Sequence, residues 1–420
     1  MDTRIYLKHY LSLVSGTVIA QLINFAAYPA LTRMYTPHDF GVFAIFLAIL
    51  AIIGNISCGR FDVVIQSVSF ANRFSVYILS QIVNLFVSII STVFLLFYVM
   101  FFNGVIDLVL AVMIGIAIFL TGYCNASSMF LLKHEGYNLN SVSMVLRTLL
   151  TALPQIGLFF LLPNVYGLAG GFGVGFLCQA IFLALSIRRT IAWRASSVRK
   201  LRFVLQRYRR YPLFDIPSNL LYSLSLHALN FFLLILYSTE VAGFYAIAFR
   251  LAALPTTIFS TTLSQVYFQK ASKAFQETGT FWAEMRFNLQ VSSALVVPIF
   301  VLLTFLAEPM IGFYLGKDWI MSAKIIVWLL PMMALTFISN SIATTGFVIG
   351  RPQWLLYNNI ALASAVLVSF LIGYFGSLPL SSYLIMHSAA TSGVHALFIL
   401  YNVWITIRYY RHKPDRCAVG

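Results

Sequence analysis

Four arginines carry the chemistry this chain could do at membrane depth: Arg33, Arg60, Arg147 and Arg250. Each lies inside a long apolar run or at its end, where an ionised side chain is costly enough to mark a substrate or ion path. Guanidinium stays charged at any accessible pH and presents a planar fork of donors to phosphate oxygens, so these residues suit an anion with a diphosphate head. Arg250 stands about seven residues into its run, roughly 10 Å below the outer end at about 1.5 Å per residue. Arg147 is similarly deep from the inner end of its run, although its stem could snorkel to the headgroups, and Arg33 and Arg60 could equally anchor an interface. Polar residues accompany them on the first, second, seventh and eighth runs: Gln21, Asn24, Asn55, Asn219, Ser223, Ser225, His227, Asn230 and Gln265. Such groups suit a lumen wetted by water and sugar, or serve as glue between helices. Arg33, Arg60, Arg147, Arg250, Asn219 and Gln265 are the candidate ligands.

Other chemistries are missing from the sequence. No phosphate-cradling GxxxxGK[ST] loop occurs; Gly312-Phe313-Tyr314-Leu315-Gly316-Lys317 has the wrong spacing. There is no DxD, HExxH or GxSxG, and the 12 acidic residues form no close pair that could divide acid and base roles, so no catalytic residue is expected. Cys58, Cys124, Cys178 and Cys417 stand singly, without CxxC or histidine at ligand spacing, and read as packing residues with no metal site.

The elements that must position the arginines are membrane helices. Of 420 residues, 60% are hydrophobic and only 9% charged, and apolar runs long enough to cross a bilayer recur along the chain. Runs and breakers predict spans near 11–31, 40–57, 76–100, 107–131, 142–162, 165–187, 213–236, 243–266, 289–313, 325–349, 355–375 and 383–407, twelve in all. The short leader before the first span has no cleavage pattern and is expected to stay. Tyr35-Thr36-Pro37-His38-Asp39-Phe40-Gly41-Val42-Phe43-Ala44-Ile45 recurs as Tyr237-Ser238-Thr239-Glu240-Val241-Ala242-Gly243-Phe244-Tyr245-Ala246-Ile247. A duplicated bundle follows, and since each half has an even number of spans the repeats are parallel, about an axis along the membrane normal.

The expected organisation is therefore an N-terminal six-helix bundle over 1–187, a basic linker over 188–212 and a C-terminal six-helix bundle with its tail over 213–420. Placing the N-terminus in the cytoplasm puts 22 of the 27 Lys and Arg residues on that side, so both termini are predicted to be cytoplasmic. The net charge of +15 then reports topology and contact with anionic lipids, and no nucleic-acid partner is expected. The linker, from Arg188 to Tyr211, and the segment Gln269 to Met285, an amphipathic cytoplasmic helix, read as surface connectors.

Local signals agree. Thr36, Pro37 and Asp39 form a helix N-terminal capping pattern, and the repeat partner is a weaker cap. Gly167, Gly171 and Gly175 make a doubled GxxxG face suited to close packing within the bundle. Pro212, Pro217 and Pro255 mark places where the seventh and eighth spans could bend, or tolerated kinks.

The strings Arg210-Tyr211-Pro212-Leu213-Phe214-Asp215-Ile216-Pro217-Ser218-Asn219-Leu220-Leu221, Gly243-Phe244-Tyr245-Ala246-Ile247-Ala248-Phe249-Arg250-Leu251 and Ser264-Gln265-Val266-Tyr267-Phe268-Gln269-Lys270-Ala271-Ser272 closely resemble the Wzx-type O-antigen and capsule flippases, membrane proteins of polysaccharide biosynthesis. Thr32-Arg33-Met34-Tyr35-Thr36-Pro37-His38-Asp39-Phe40-Gly41, Arg60-Phe61-Asp62 and Gly316-Lys317-Asp318-Trp319 match as well. The resemblance implies an all-α integral membrane fold of the multidrug/oligosaccharidyl-lipid/polysaccharide (MOP) superfamily, like the MATE transporters, in a bacterial inner membrane. It implies as substrate an undecaprenyl-diphosphate-linked oligosaccharide, turned from inner to outer leaflet in the biosynthesis of lipopolysaccharide O-antigen or related glycans, and as pathway partners a polymerase and a chain-length regulator. It places Arg33, Arg60, Asp62 and Arg250 at motif positions. The chain departs from the family pattern at Phe61-Asp62, where Tyr-Glu is expected, and at His227, where glutamine is usual; substrate preference and ion coupling are what those changes touch.

Three functions compete. A flippase would draw the diphosphate into an arginine-lined lumen by alternating access, needing no cofactor but a proton or sodium gradient coupled through Asp62 or Asp215. A membrane glycan polymerase or ligase would need a substantial outer loop, whereas the largest loop here is inner and basic. A drug exporter of the same superfamily would carry organic cations, which an arginine-rich lumen repels.

Overall fold

The computed structural model describes residues 3–68, 72–102, 104–190, 198–254, 256–351 and 353–411, and all regular structure among them is helical. Among the described residues, ten helical segments are long and apolar enough to cross a membrane. Their outward faces are apolar: Phe86, Ile90, Phe94 and Phe97 on one helix and Phe305 and Phe313 on another are exposed, as expected of a surface solvated by lipid rather than water. Pro255 and the tail beyond Arg411, with Cys417, lie outside the described residues.

Packing divides the chain into two compact units, 1–231 and 232–420. The first holds α1 (Thr3–Met34), α2 (Pro37–Gly54), α3 (Phe61–Ser67), α4 (Arg73–Phe101), α5 (Leu108–Leu132), α6 (Tyr137–Phe159), α7 (Val165–Thr190), α8 (Val198–Tyr208) and most of α9 (Arg210–Leu236). Within it α6 packs on α7 and α1, and α5 on α4 and α7. The second unit holds the end of α9, α10 (Thr239–Ala252), a π-helical turn (Thr256–Ser260), α11 (Thr261–Thr278), α12 (Trp282–Tyr314), a 3-10 turn (Lys317–Trp319), α13 (Ile320–Ser341), α14 (Thr345–Val348), α15 (Gln353–Gly376) and α16 (Leu380–Arg411). There α13 packs on α12, α16 and α10, and α16 on α15.

The repeated motif builds the same corner in each unit. In the first, Asp39 N–H donates to Thr36 Oγ1 (3.2 Å) and Thr36 N–H to Asp39 Oδ2 (3.0 Å), a reciprocal capping box that starts α2 with Pro37 as its first residue. In the second, Val241 N–H donates to Ser238 Oγ (3.2 Å) with no such box, the weaker cap predicted from sequence. The tyrosine before each cap ties the corner down: Tyr35 OH donates to Gln155 O (2.7 Å) and Tyr237 OH to Leu378 O (2.7 Å).

Three predicted elements differ. The eighth span, expected as one run over 243–266, is broken into α10, the π turn and α11, because Pro255 supplies no backbone N–H to continue a helix there. The linker also contains a helix: Leu201, Val204 and Tyr208, spaced on one face of α8, pack into the cluster of Phe61, Val64, Ile65, Val76 and Phe130. The connector predicted over 269–285 is the continuation of α11, which Gly279 ends in a left-handed turn (φ +71°) before α12 begins.

Candidate functional site

The site is built on the turn between α2 and α3. Gly59 (φ +60°) and Arg60 (φ +59°) both take left-handed backbone, which costs a non-glycine residue about 1–2 kcal/mol. A non-glycine residue held there is over-determined by its surroundings, and such positions cluster at functional sites. The surroundings here are α3, whose Phe61, Val64 and Ile65 are fully buried, and α9. From α9, Asp215 Oδ2 accepts the Nε–H of Arg60 at 2.5 Å. Asn219, one turn later, donates its amide to Asp215 Oδ1 and to Asp215 O, both at 3.0 Å, and so fixes the carboxylate. Asn55 lies beside them, its amide 3.5 Å from Ser223 Oγ and its carbonyl 3.5 Å from Arg60 Nη1.

This arrangement occupies one edge of the guanidinium and leaves the other. Nε is committed to Asp215, Nη1 makes only the long contact to Asn55, and Nη2 has no partner among the described residues. The Nη1–Nη2 edge is one of the two guanidinium edges that can meet phosphate or carboxylate oxygens in pairs. Asp62, the second residue of α3, is buried (6% exposed), with Oδ1 lacking a hydrogen bond among the described residues. Burial is the largest influence on it and raises its proton affinity above the ordinary carboxylate range; Arg60 works in the opposite direction, and Asp215 adds to the rise.

Arg147 is held elsewhere in the same unit. Its guanidinium stacks over the Phe176 ring at 4.8 Å and donates to Gln179 Oε1 at 3.4 Å, while Gln179 donates onward to Ser143 Oγ at 3.2 Å. Among the described residues no carboxylate lies within ion-pair distance of it. The doubled GxxxG face explains how α7 comes close enough. A Cβ on Gly175 would stand 2.7 Å from Arg147 O and 2.0 Å from Thr151 Oγ1, and one on Gly171 would stand 2.6 Å from Gln155 N. The glycine face thus packs α7 against α6 inside the unit, as expected, and Gln179 follows Gly175 by one turn.

The remaining candidates stand on other elements. Arg33, exposed in the last turn of α1, donates to Pro29 O of its own helix at 3.4 Å. Arg250, predicted in mid-span, is exposed in the last turn of α10, where the break leaves helix carbonyls without intrahelical donors and their partial negative charge favours a cation. Gln265 is exposed on α11. Sequence reasoning passed over Gln179, although its place one turn beyond the glycine face was a usable signal. It also had no way to see the left-handed backbone at Arg60, which only the preceding Gly59 hints at.

Comparison with known proteins places this architecture. The profile of a family described as polysaccharide biosynthesis protein matches residues 30–324. No curated protein sequence matches. Among solved structures, an inward-facing multidrug resistance MATE family transporter of the MOP superfamily aligns with a TM-score of 0.72 at 14% identity, covering 94% of this chain and 96% of that one. The lipid II flippase MurJ, in an inward closed conformation, aligns with a TM-score of 0.71 at 15% identity, covering 95% and 88%. An outward-facing MATE family transporter gives 0.63 at 16% identity, covering 96% and 95%. At these identities the likeness is one of fold.

Proposed function

The chain belongs to the polysaccharide biosynthesis protein family, and on that premise we propose that it is a Wzx-type flippase. It carries undecaprenyl-diphosphate-linked oligosaccharide repeat units from the inner to the outer leaflet of a bacterial cytoplasmic membrane by alternating access. In this reading the chain crosses the bilayer twelve times in two six-helix bundles. The ten long helical segments are joined by α1 and by the interrupted α10–α11 pair, and both termini are cytoplasmic. The protein is a transporter and not a catalyst, it feeds a polymerase and a chain-length regulator, and a proton or sodium gradient drives it.

The observation that carries the reading is the posture of Arg60. A guanidinium braced at Nε by Asp215, with its Nη edge uncommitted, is a preorganised receptor for one phosphate of a diphosphate. Asn219 then acts on the substrate only through Asp215, as a positioning residue, and Asn55 and Ser223 offer hydrogen bonds to sugar hydroxyls. Asp62 is the group poised to change its charge as the cycle proceeds. A drug exporter of the same fold would carry organic cations, which braced arginines repel.

Deleting the gene in its host tests this. Lipid-linked repeat units should accumulate on the inner leaflet and surface glycan should disappear, both restored by the wild-type chain; unchanged leaflet distribution would overturn the reading.

A further inference from the structure

The second unit carries a polar seam that the site above does not use. Along α16, Tyr383, His387, Thr391 and His395 follow one another at a spacing of four residues, so they lie along one face, and all four are buried. His387 Nδ1 meets Ser369 Oγ of α15 at 2.9 Å, and Thr391 Oγ1 donates to His387 O at 2.8 Å. His387 lies about 10 Å and His395 about 22 Å along α16 at 1.5 Å per residue, both inside the candidate span Leu380–Tyr410.

What distinguishes the seam from interhelical glue is its unfilled bonding capacity. Ser388 Oγ, Ser392 Oγ and His395 Nδ1 are buried and have no hydrogen-bond partner among the described residues, and His395 and Ser388 are 6% and 2% exposed. Three orphaned polar atoms within about two helical turns are too many to leave dry in a membrane protein, and their usual partner is water. The helices packed on α16 are α13, α15 and α12. Their titratable groups stand away from the seam: Lys324 is exposed on the second turn of α13, Glu284 and Arg286 are in the first turns of α12 and Glu308 is exposed near its other end, and Tyr357 and Tyr374 are exposed on α15. Among the described residues, the ionisable groups seen beside the histidines are Tyr383, whose ring centroid is 6.2 Å from that of His387, and Tyr237 and Tyr245 around Tyr383. A proton arriving in the seam therefore has imidazole nitrogen as its acceptor.

We propose that α15 and α16 enclose a hydrated proton-binding seam centred on His387 and His395, where the second unit takes up and releases protons during transport. The last clause rests on the transporter reading; hydration and protonation do not. Water bridges the spacing between the two imidazoles, with Ser388, Thr391 and Ser392 as its anchors, and Ser369 fixes the ring of His387.

The test uses the full chain in lipid nanodiscs. Exchange of imidazole C2–H with deuterium is followed by mass spectrometry across pH, with His38, exposed beside the cap of α2, as internal standard. Exchange at His387 and His395 within roughly ten-fold of His38, following a titration curve, is the expected result. Exchange more than about a hundred-fold slower at both would show a dry packing seam and overturn the proposal. In proteoliposomes, His387→Gln and His395→Asn, which keep hydrogen-bonding capacity, should melt near the wild type and lose acceleration of transport by a pH gradient. Retained acceleration in both would leave structural water only and overturn the coupling role. Failure of the wild type to move any lipid-linked sugar would count against the flippase reading, while the exchange measurement would still decide the seam.

Discussion

Asp215 Oδ2 sits 2.5 Å from Arg60 Nε, and Arg60 holds this contact from left-handed backbone at φ +59°. The relationship sets a functional posture against local conformational ease, and the two can be separated experimentally. Arg60→Gly removes the side chain and relieves the backbone, so it should hold stability level or raise it by about 1 kcal/mol while abolishing flipping. Arg60→Ala should abolish flipping without that relief. Melting curves of both, read beside surface glycan, check the pair.

Asp215→Asn should behave differently. The amide keeps the size of the carboxylate and an oxygen for Arg60 Nε–H, but loses the charge that fixes the guanidinium. Transport should fall by about ten-fold rather than vanish, with protein level unchanged, because a partly exposed pair adds only about 0–1 kcal/mol to stability. Initial flipping rates at matched protein amounts measure this.

Asp62 predicts a pH dependence. Burial raises its proton affinity in the folded state, so the folded chain binds that proton more tightly than the unfolded one. The contribution to stability is complete below the ordinary carboxylate value and is lost as pH rises through the raised folded one. Asp62→Asn should therefore flatten the decline in melting temperature with rising pH and be the more stable chain near neutrality. Thermal unfolding across the acidic to neutral range reads it.

Much of this was legible before any coordinates, and the reasons differ by residue. Thr36, Pro37 and Asp39 specify their capping box through local geometry alone, and the helix of residues 165–190 could be placed from its apolar run and glycines. Arg60 and Asp215 are each legible in the sequence as candidates but not as partners, because 155 residues separate them and nothing local encodes the pairing. Arg250 reads as a mid-span residue because the apolar run over 243–266 is continuous in sequence, whereas α10 ends at Ala252. The seam on α16 is not legible in the sequence, because serine, threonine and histidine at four-residue spacing are common, and only burial shows which atoms lack partners.

The glycine face of α7 gives a contrast within one helix. Gly175→Ala would press a methyl against Arg147 O and should cost about 1–3 kcal/mol, loosening Gln179 from Arg147. Gly173→Ala meets nothing within 4 Å and should be neutral or stabilising by up to about 1 kcal/mol. Thermal melting of the two single variants decides whether close approach sets the geometry around Arg147.

The most direct measurement is leaflet-resolved flipping of a fluorescent undecaprenyl-diphosphate-linked repeat unit in proteoliposomes, comparing the wild-type chain with Arg60→Ala. The wild type should bring the labelled lipid to the far leaflet far faster than protein-free vesicles, and Arg60→Ala should fall to the protein-free rate while still folded. Equal flipping by the two chains would contradict the place given to Arg60, and no flipping by the wild type would contradict the function itself.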